Sequence, residues 1–293
     1  MDFLVSVLEQ GLIYGIMALG VYITYKILDF PDLSVDGTFP LGAAITAAMI
    51  KMGVNPYLTL LIAFAVGLCA GACTGLIHVK FKVRDLLSGI IMMTGLYTVN
   101  LYIAGTNNVP LFSSETIFRN EMLKKMFGET VPKWLDIVII LIIVLICKIL
   151  LDLYMKTQSG YLLRAVGDND VIVTSLAKDK GNVKILGLAI SNGLVALSGC
   201  VFAQQSKVFD ISMGTGALVI GLASVIIGLS FFKKMSFVKT TTAVIVGSIF
   251  YKLCVALALK FAGATATKLI TAILFLVILI VSVDRKRKVK VNA

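Results

Sequence analysis

The sequence predicts an all-α fold: a polytopic transmembrane helical bundle of about nine spans, built as an inverted-topology repeat within a single domain, residues 1–293. Three observations carry this prediction. The chain is 58% hydrophobic and only 15% charged, with a mean hydropathy of +0.97, whereas soluble globular chains are about 45–50% apolar. Apolar runs of crossing length recur from one end to the other. A polar, Gly-containing break beside apolar helices occurs twice, 178 residues apart.

A helix needs about 20 apolar residues to cross the hydrocarbon core. This sets the expected spans at about 3–27, 37–52, 57–77, 85–104, 135–155, 183–205, 214–232, 239–259 and 268–283. The first opens on Met1-Asp2-Phe3 without a basic n-region, so it reads as a retained span and not a cleavable signal. The second is short and starts in the polar break, as a broken span does. Gly67, Gly71 and Gly75 give the third span two overlapping GxxxG patterns, and Gly11 and Gly15 give the first span one; small residues at this spacing let helices approach closely. Residues 105–134 form the longest outer loop. Within it Ser114 to Phe127 reads as an amphipathic helix, with Phe118, Met122 and Met126 on one face and Gly128 at its end; it either lies on the membrane or helps dock an external binding protein. Trp134, the only tryptophan, marks the outer end of the fifth span as an interfacial anchor. Lys148 and Asp152, four apart in that span, read as a local helix pair. Cys69, Cys73, Cys147, Cys200 and Cys254 fall inside apolar runs and read as small hydrophobes. With His78 the only histidine, no metal site is expected.

Lysine and arginine set the orientation. Alternate loops carry 17 of them on one side and 8 on the other, and the richer side is cytoplasmic by the positive-inside rule. The N-terminus is then outside and the basic C-terminal tail inside. The net charge of +11 belongs to this asymmetry, and no nucleic-acid partner is expected.

The repeat pairs Asp32-Leu33-Ser34-Val35-Asp36-Gly37-Thr38 with Asp210-Ile211-Ser212-Met213-Gly214-Thr215, one residue being dropped. Gly15-Ile16-Met17-Ala18-Leu19 precedes the first copy, and Gly193-Leu194-Val195-Ala196-Leu197 precedes the second. The copies begin five spans apart, so they run in opposite directions, with halves of about 1–155 and 183–283. Many transporters are built this way, with the solute site at the broken helices. Candidate path residues are Asp32, Ser34, Thr38, Thr94, Asn100, Asn192, Asp210, Ser212, Thr215 and Lys252. Each polar group has a second role open to it, as an interhelical hydrogen bond; Asp32 and Asp210 either touch solute or shape the breaks. Lys252, well inside the eighth span, either lines the pathway, pairs with an acid such as Asp210, or snorkels.

The connector 156–182 is too apolar for a simple solvated loop, with Tyr161, Leu162, Leu163, Val171, Ile172 and Val173. It reads as a short helix over 161–166 closed by Gly167 as a left-handed C-cap, then a second short helix from Asp168 through about Leu176. Such a compact loop suits docking into a groove on a soluble partner.

Gly160-x-x-x-Arg164-Ala165-Val166-Gly167-x-Asn169 is followed by Lys184-x-x-Gly187-Leu188-x-x-Ser191-Asn192-Gly193-Leu194-x-Ala196-Leu197-Ser198-Gly199. With Leu33-Ser34-Val35-Asp36-Gly37-Thr38-Phe39 and Asn108-Val109-Pro110-Leu111, these segments resemble the permease subunits of bacterial ABC importers. The likeness is to the branched-chain amino acid/ribose-type permease family, and within it most nearly to permeases of tryptophan/tyrosine-type importers. It covers about residues 10–280; Leu176-Ala177-Lys178-Asp179-Lys180-Gly181 departs from the family's more apolar Ala-x-x-x-Gly stretch.

The resemblance implies a multi-pass permease of the bacterial cell membrane that moves a small polar solute inward by alternating access, an amino acid, aromatic or branched-chain. It implies that Gly160, Arg164, Ala165, Val166, Gly167 and Asn169 form the coupling loop to a cytoplasmic ABC ATPase. A substrate-binding lipoprotein outside and a second permease subunit, as a homodimer, complete the implied assembly in the lipid bilayer. The chain has no GxxxxGK[ST] phosphate loop, so it is not expected to be an enzyme: no cofactor is bound by this chain, and ATP and Mg belong to the partner. The alternatives are an ABC permease for a sugar or nucleoside, or an ion-coupled secondary transporter. The second fits the repeat equally well but lacks a membrane-central carboxylate.

Overall fold

The computed structural model of the protein describes residues 2–121, 123, 125, 132–168, 179–233, 235, 238–262 and 269–280. Ten helices form among them: α1 (Asp2–Tyr22), α2 (Val35–Lys51), α3 (Pro56–Lys80), α4 (Asp85–Ala104), α5 (Lys133–Tyr154), α6 (Gln158–Asp168), α7 (Lys180–Ser206), α8 (Ala217–Phe231), α9 (Thr240–Ala262) and α10 (Leu269–Ile280). Local chemistry sets several ends. Asn55 accepts the Tyr57 N–H at 2.9 Å and Pro56 opens α3, Asp179 accepts the Gly181 N–H at 2.8 Å to open α7, and Gly105 closes α4 at φ 74°.

Helix α7 is the centre of the bundle and packs on α3, α2 and α1. The glycine pattern of the third span faces it: a Cβ on Gly71 would overlap the Leu188 carbonyl and stand 2.8 Å from Ala189 Cα. Serine hydroxyls tie the neighbours together through backbone carbonyls. Ser191 donates to Gly20 O at 2.8 Å and Ser198 to Ile13 O at 2.7 Å, which sets α1 antiparallel to α7. Ser248 donates to Gly11 O at 2.7 Å, joining α9 to α1 where the first span carries its glycines. In hydrocarbon such bonds and close contact replace a hydrophobic drive. The Lys148–Asp152 pair forms at 3.1 Å, and Asp152 also holds Lys239 at 3.2 Å and the Thr241 hydroxyl at 2.7 Å, tying α5 to the start of α9.

Seven helices among the described residues are long and apolar enough to cross a membrane. Of the nine expected spans, 37–52 falls short of that length, α2 having 17 residues, and 268–283 is described only over Leu269–Ile280. The first span ends differently from a plain helix, in a π-helical turn, Ile23–Ile27.

The fold is all-α as expected, with a two-stranded ribbon beside the helices; a further correction concerns residues 114–127. Asn108–Pro110 (β1) and Val208–Asp210 (β2) pair antiparallel, with Asn108 opposite Asp210 and Pro110 opposite Val208. Strands of three residues carry no readable period. The amphipathic helix over 114–127 does not begin at Ser114. Thr116 and Arg119 bridge across a turn, Ile117 and Phe118 turn into the core, and Arg119 pairs with Asp136 at 2.6 Å. Gln204 fixes this turn by accepting the Ile117 N–H at 2.9 Å. Met122, Met126 and Gly128 lie outside the described residues.

Candidate functional site

The first break is a buried polar knot. Between the π-turn and α2, Asp32 Oδ1 accepts the Ser34 N–H at 2.9 Å, and Asp32 Oδ2 accepts from Asn192 Nδ2 at 2.7 Å. The Ser34 hydroxyl donates to Asn192 Oδ1 at 3.2 Å, and Thr38 bonds back to Ser34 O at 3.0 Å. Asp32, Ser34, Thr38 and Asn192 all have 0% exposure, so four of the expected path residues satisfy one another instead of facing a cavity. The second break makes the same local turn at the bundle surface. Asp210 Oδ1 accepts the N–H of Ser212 at 2.8 Å and its hydroxyl at 2.5 Å, while Asp210 Oδ2 takes Asn108 Nδ2 at 3.3 Å. The Ser212 hydroxyl holds the Asp210 carboxyl below the usual carboxylate range.

The two breaks meet through Asp36. Its carboxylate accepts the N–H of Gly216 at 3.0 Å and of Leu218 at 2.8 Å, capping α8 from the first turn of α2. Beside this cap lies a cavity of about 440 Å³ between α2, α4 and the second break. Asp36, Thr94, Tyr97, Asn100, Ser212 and Thr215 line it together with Met93 and Pro40. Asn100 donates to the Gly37 carbonyl at 3.0 Å, and its buried Oδ1 has no hydrogen-bond partner among the described residues. Thr94 spends its hydroxyl on Ile90 O and Ile91 O at 3.0 and 2.9 Å.

The structure thus gathers Thr94, Asn100, Ser212 and Thr215 around one cavity and leaves Asp32, Ser34, Thr38, Asn192, Asp210 and Lys252 out of its lining. Lys252 does not pair with Asp210. It lies between α1 and α9 with Nζ 3.6 Å from the centroid of the Tyr14 ring, an electrostatically favourable seat for a cation. Sequence reasoning quoted Asp36 but did not select it, because Asp36 is the residue that the second copy drops. Tyr97 went unselected although it lies three residues from both Thr94 and Asn100, a helical spacing that puts all three on one face.

The connector forms α6. Leu163 and Val166 are buried in the core, while Tyr161 stays 60% exposed and Arg164 shares its exposed face. Arg164 borders a cavity of about 260 Å³ with Tyr22, Asp152, Lys156, Lys239 and Thr241. Gly167 is not a left-handed cap; the helix runs through it to Asp168. Its lack of a side chain serves contact instead, since a Cβ there would overlap the Ile27 carbonyl and stand 3.3 Å from Leu28 Cα. Gly160 is likewise pressed against Met155, where a Cβ would stand 2.6 Å from Cα. Ala165 is half-buried against the core. Asn169 and the second expected helix lie outside the described residues.

The family described as branched-chain amino acid transport system permease component matches residues 3–282. A tyrosine transport system permease protein of Clostridioides difficile is 49% identical over 280 residues, 95% of this chain and 91% of that one. A ribose import permease protein of Escherichia coli is 25% identical over 229 residues, 77% of this chain and 68% of the relative. A fructose import permease protein of Bifidobacterium longum is 25% identical over 233 residues, 77% of this chain and 62% of the relative. No solved structure matches the chain.

Proposed function

We propose that this chain, which belongs to the branched-chain amino acid transport permease family of ABC importers, carries an aromatic amino acid, tyrosine in the first instance, through the cavity beside Asp36. The name of the 49% identical relative supports the solute class. The cavity supplies groups suited to it. Tyr97 and Met93 offer an aromatic and a sulfur surface for a phenol ring, and the unpartnered Asn100 Oδ1 is an acceptor for an ammonium group as the site opens. Asp36, engaged with α8, links any movement of the second break to the cavity wall.

Helix α6 is the observation that carries the reading of an ATP-driven device. A connector with one face seated in the core and Tyr161 and Arg164 outward can be pushed as a unit by a partner, and Gly167 delivers that push to the Ile27 carbonyl of the π-turn. The partners are cytoplasmic ABC ATPases that hydrolyse ATP, a substrate-binding lipoprotein outside and a second copy of the permease; this chain supplies the path and no ATP site. The 17-to-8 division of basic residues supports a cytoplasmic α6 and an outer N-terminus. The equivalent turns at Asp32 and Asp210, both closed by the serine two residues on, support an inverted relation between the halves.

A panel of labelled solutes tests the substrate. Cells carrying the permease with its ATPase and receptor should accumulate tyrosine, and excess phenylalanine or tryptophan should compete better than leucine or ribose. Preferential uptake of ribose would move the assignment to the sugar branch of the family.

A further inference from the structure

The crevice between α1 and α9 stands apart from the transport reading. It encloses about 530 Å³, within the ~300–1,000 Å³ of small-ligand sites. Among the described residues its lining holds two ammonium groups and no carboxylate: Lys252, midway along α9, and Lys260 near its end. At ~1.5 Å per residue they are ~12 Å apart along the helix. From α1 come Ser6 and Gln10, hydrogen-bonding groups, and Phe3; Leu259 adds to the apolar wall.

Lys252 is the anomaly that needs an account. A charge midway along a membrane helix is costly and is ordinarily paired. Arg119 has Asp136, and Lys148 and Lys239 share Asp152. Lys252 makes no ion pair among the described residues. The Tyr14 ring covers one side of its ammonium group at 3.6 Å, and the group borders the crevice. Two cations at different depths, polar groups opposite them and aliphatic walls between match a molecule with one acidic end and an apolar body.

We propose that this crevice binds an amphiphilic anion, its carboxylate or phosphate on Lys252 and its aliphatic body along Phe3 and Leu259. Lys260 at the mouth draws the anion in. The occupant's chemistry is shared by a free fatty acid and an anionic phospholipid, and the bilayer can supply either.

Thermal unfolding of the full-length permease in phosphatidylcholine nanodiscs tests this, with dodecanoate, dodecanol and acetate as probes. Dodecanoate should raise Tm saturably, and dodecanol and acetate should not, since binding to the folded state alone raises stability. Lys252→Met should abolish the shift; Ala256→Phe, which fills the crevice without removing a charge, should abolish it independently. In discs containing dioleoylphosphatidylglycerol, a Lys252-dependent rise identifies a phospholipid occupant, and a rise with dodecanoate alone identifies a fatty acid. An equal shift with dodecanol, an equal shift with acetate, or a dodecanoate shift that survives both substitutions overturns the proposal.

Discussion

The carboxylate of Asp36 accepts the backbone N–H of Leu218 at 2.8 Å across 182 residues of chain. Asp36 is the one residue of the first break that has no counterpart in the second, so the second copy's helix receives its cap from the first. In a membrane the leading N–H groups of α8 need such a partner, because no bulk water replaces it.

Replacing Asp36 should therefore loosen α8 first. Asp36→Ala removes both acceptors and should cost about 0.5–2 kcal/mol, the usual worth of an N-cap. Asp36→Asn keeps one acceptor oxygen and should lose less. Thermal unfolding of the purified variants ranks them; an unchanged Tm for Asp36→Ala would show that α8 is held by something else.

Asp32 is expected to behave as a structural residue although it sits in the same motif. Its two oxygens are occupied by Ser34 N–H and Asn192 Nδ2 in a fully buried site. Asn192→Ala leaves Asp32 Oδ2 and the Ser34 hydroxyl without their partner, a loss of about 1–3 kcal/mol for each such group. Surface yield and Tm should fall, with the KM of the surviving transporter unchanged. A raised KM at normal stability would place Asn192 on the solute instead.

Tyr97 is half-exposed, at 50%, on the wall of the cavity. Loss of a ring contact worth ~0.5–1.5 kcal/mol predicts that Tyr97→Ala raises the KM for tyrosine between about two- and tenfold, while Tyr97→Phe stays near wild type. Equal KM values in all three proteins would remove Tyr97 from the solute site.

At α6 two substitutions should separate seating from docking. Gly167→Leu forces a side chain into the Ile27 carbonyl and should lower both Tm and uptake. Arg164→Glu changes only an exposed position; Tm should hold while uptake is lost. Arg164→Glu with wild-type uptake would sink the coupling role of this face.

Much of the fold was legible because it is written in long apolar runs, and each expected span corresponds to a helix. Glycine spacing on the first and third spans correctly marked contact faces, since close backbone approach leaves few other residues possible. The site was read less well, and for one physical reason. Sequence pattern marks polar residues in apolar surroundings but does not say whether they face each other or a cavity. Asp32, Ser34 and Asn192 closed on one another, whereas Asn100 keeps an oxygen at the cavity that is unpartnered among the described residues. Of the readings open for Lys252, pairing with Asp210 is not the one realised; its ammonium group lies over an aromatic ring. Gly167 ended next to another backbone, a contact that helix-capping rules do not anticipate. The β1–β2 pair joins segments about a hundred residues apart, which no local pattern reports.

The central claim is that this permease moves solute only when a partner ATPase drives α6. Proteoliposomes containing the permease and the ATPase, with receptor outside and ATP within, test it most directly through labelled tyrosine uptake. The account predicts uptake that requires both ATP and receptor, and that Arg164→Glu abolishes while the ATPase still copurifies. Uptake driven by an ion gradient without ATP would contradict it.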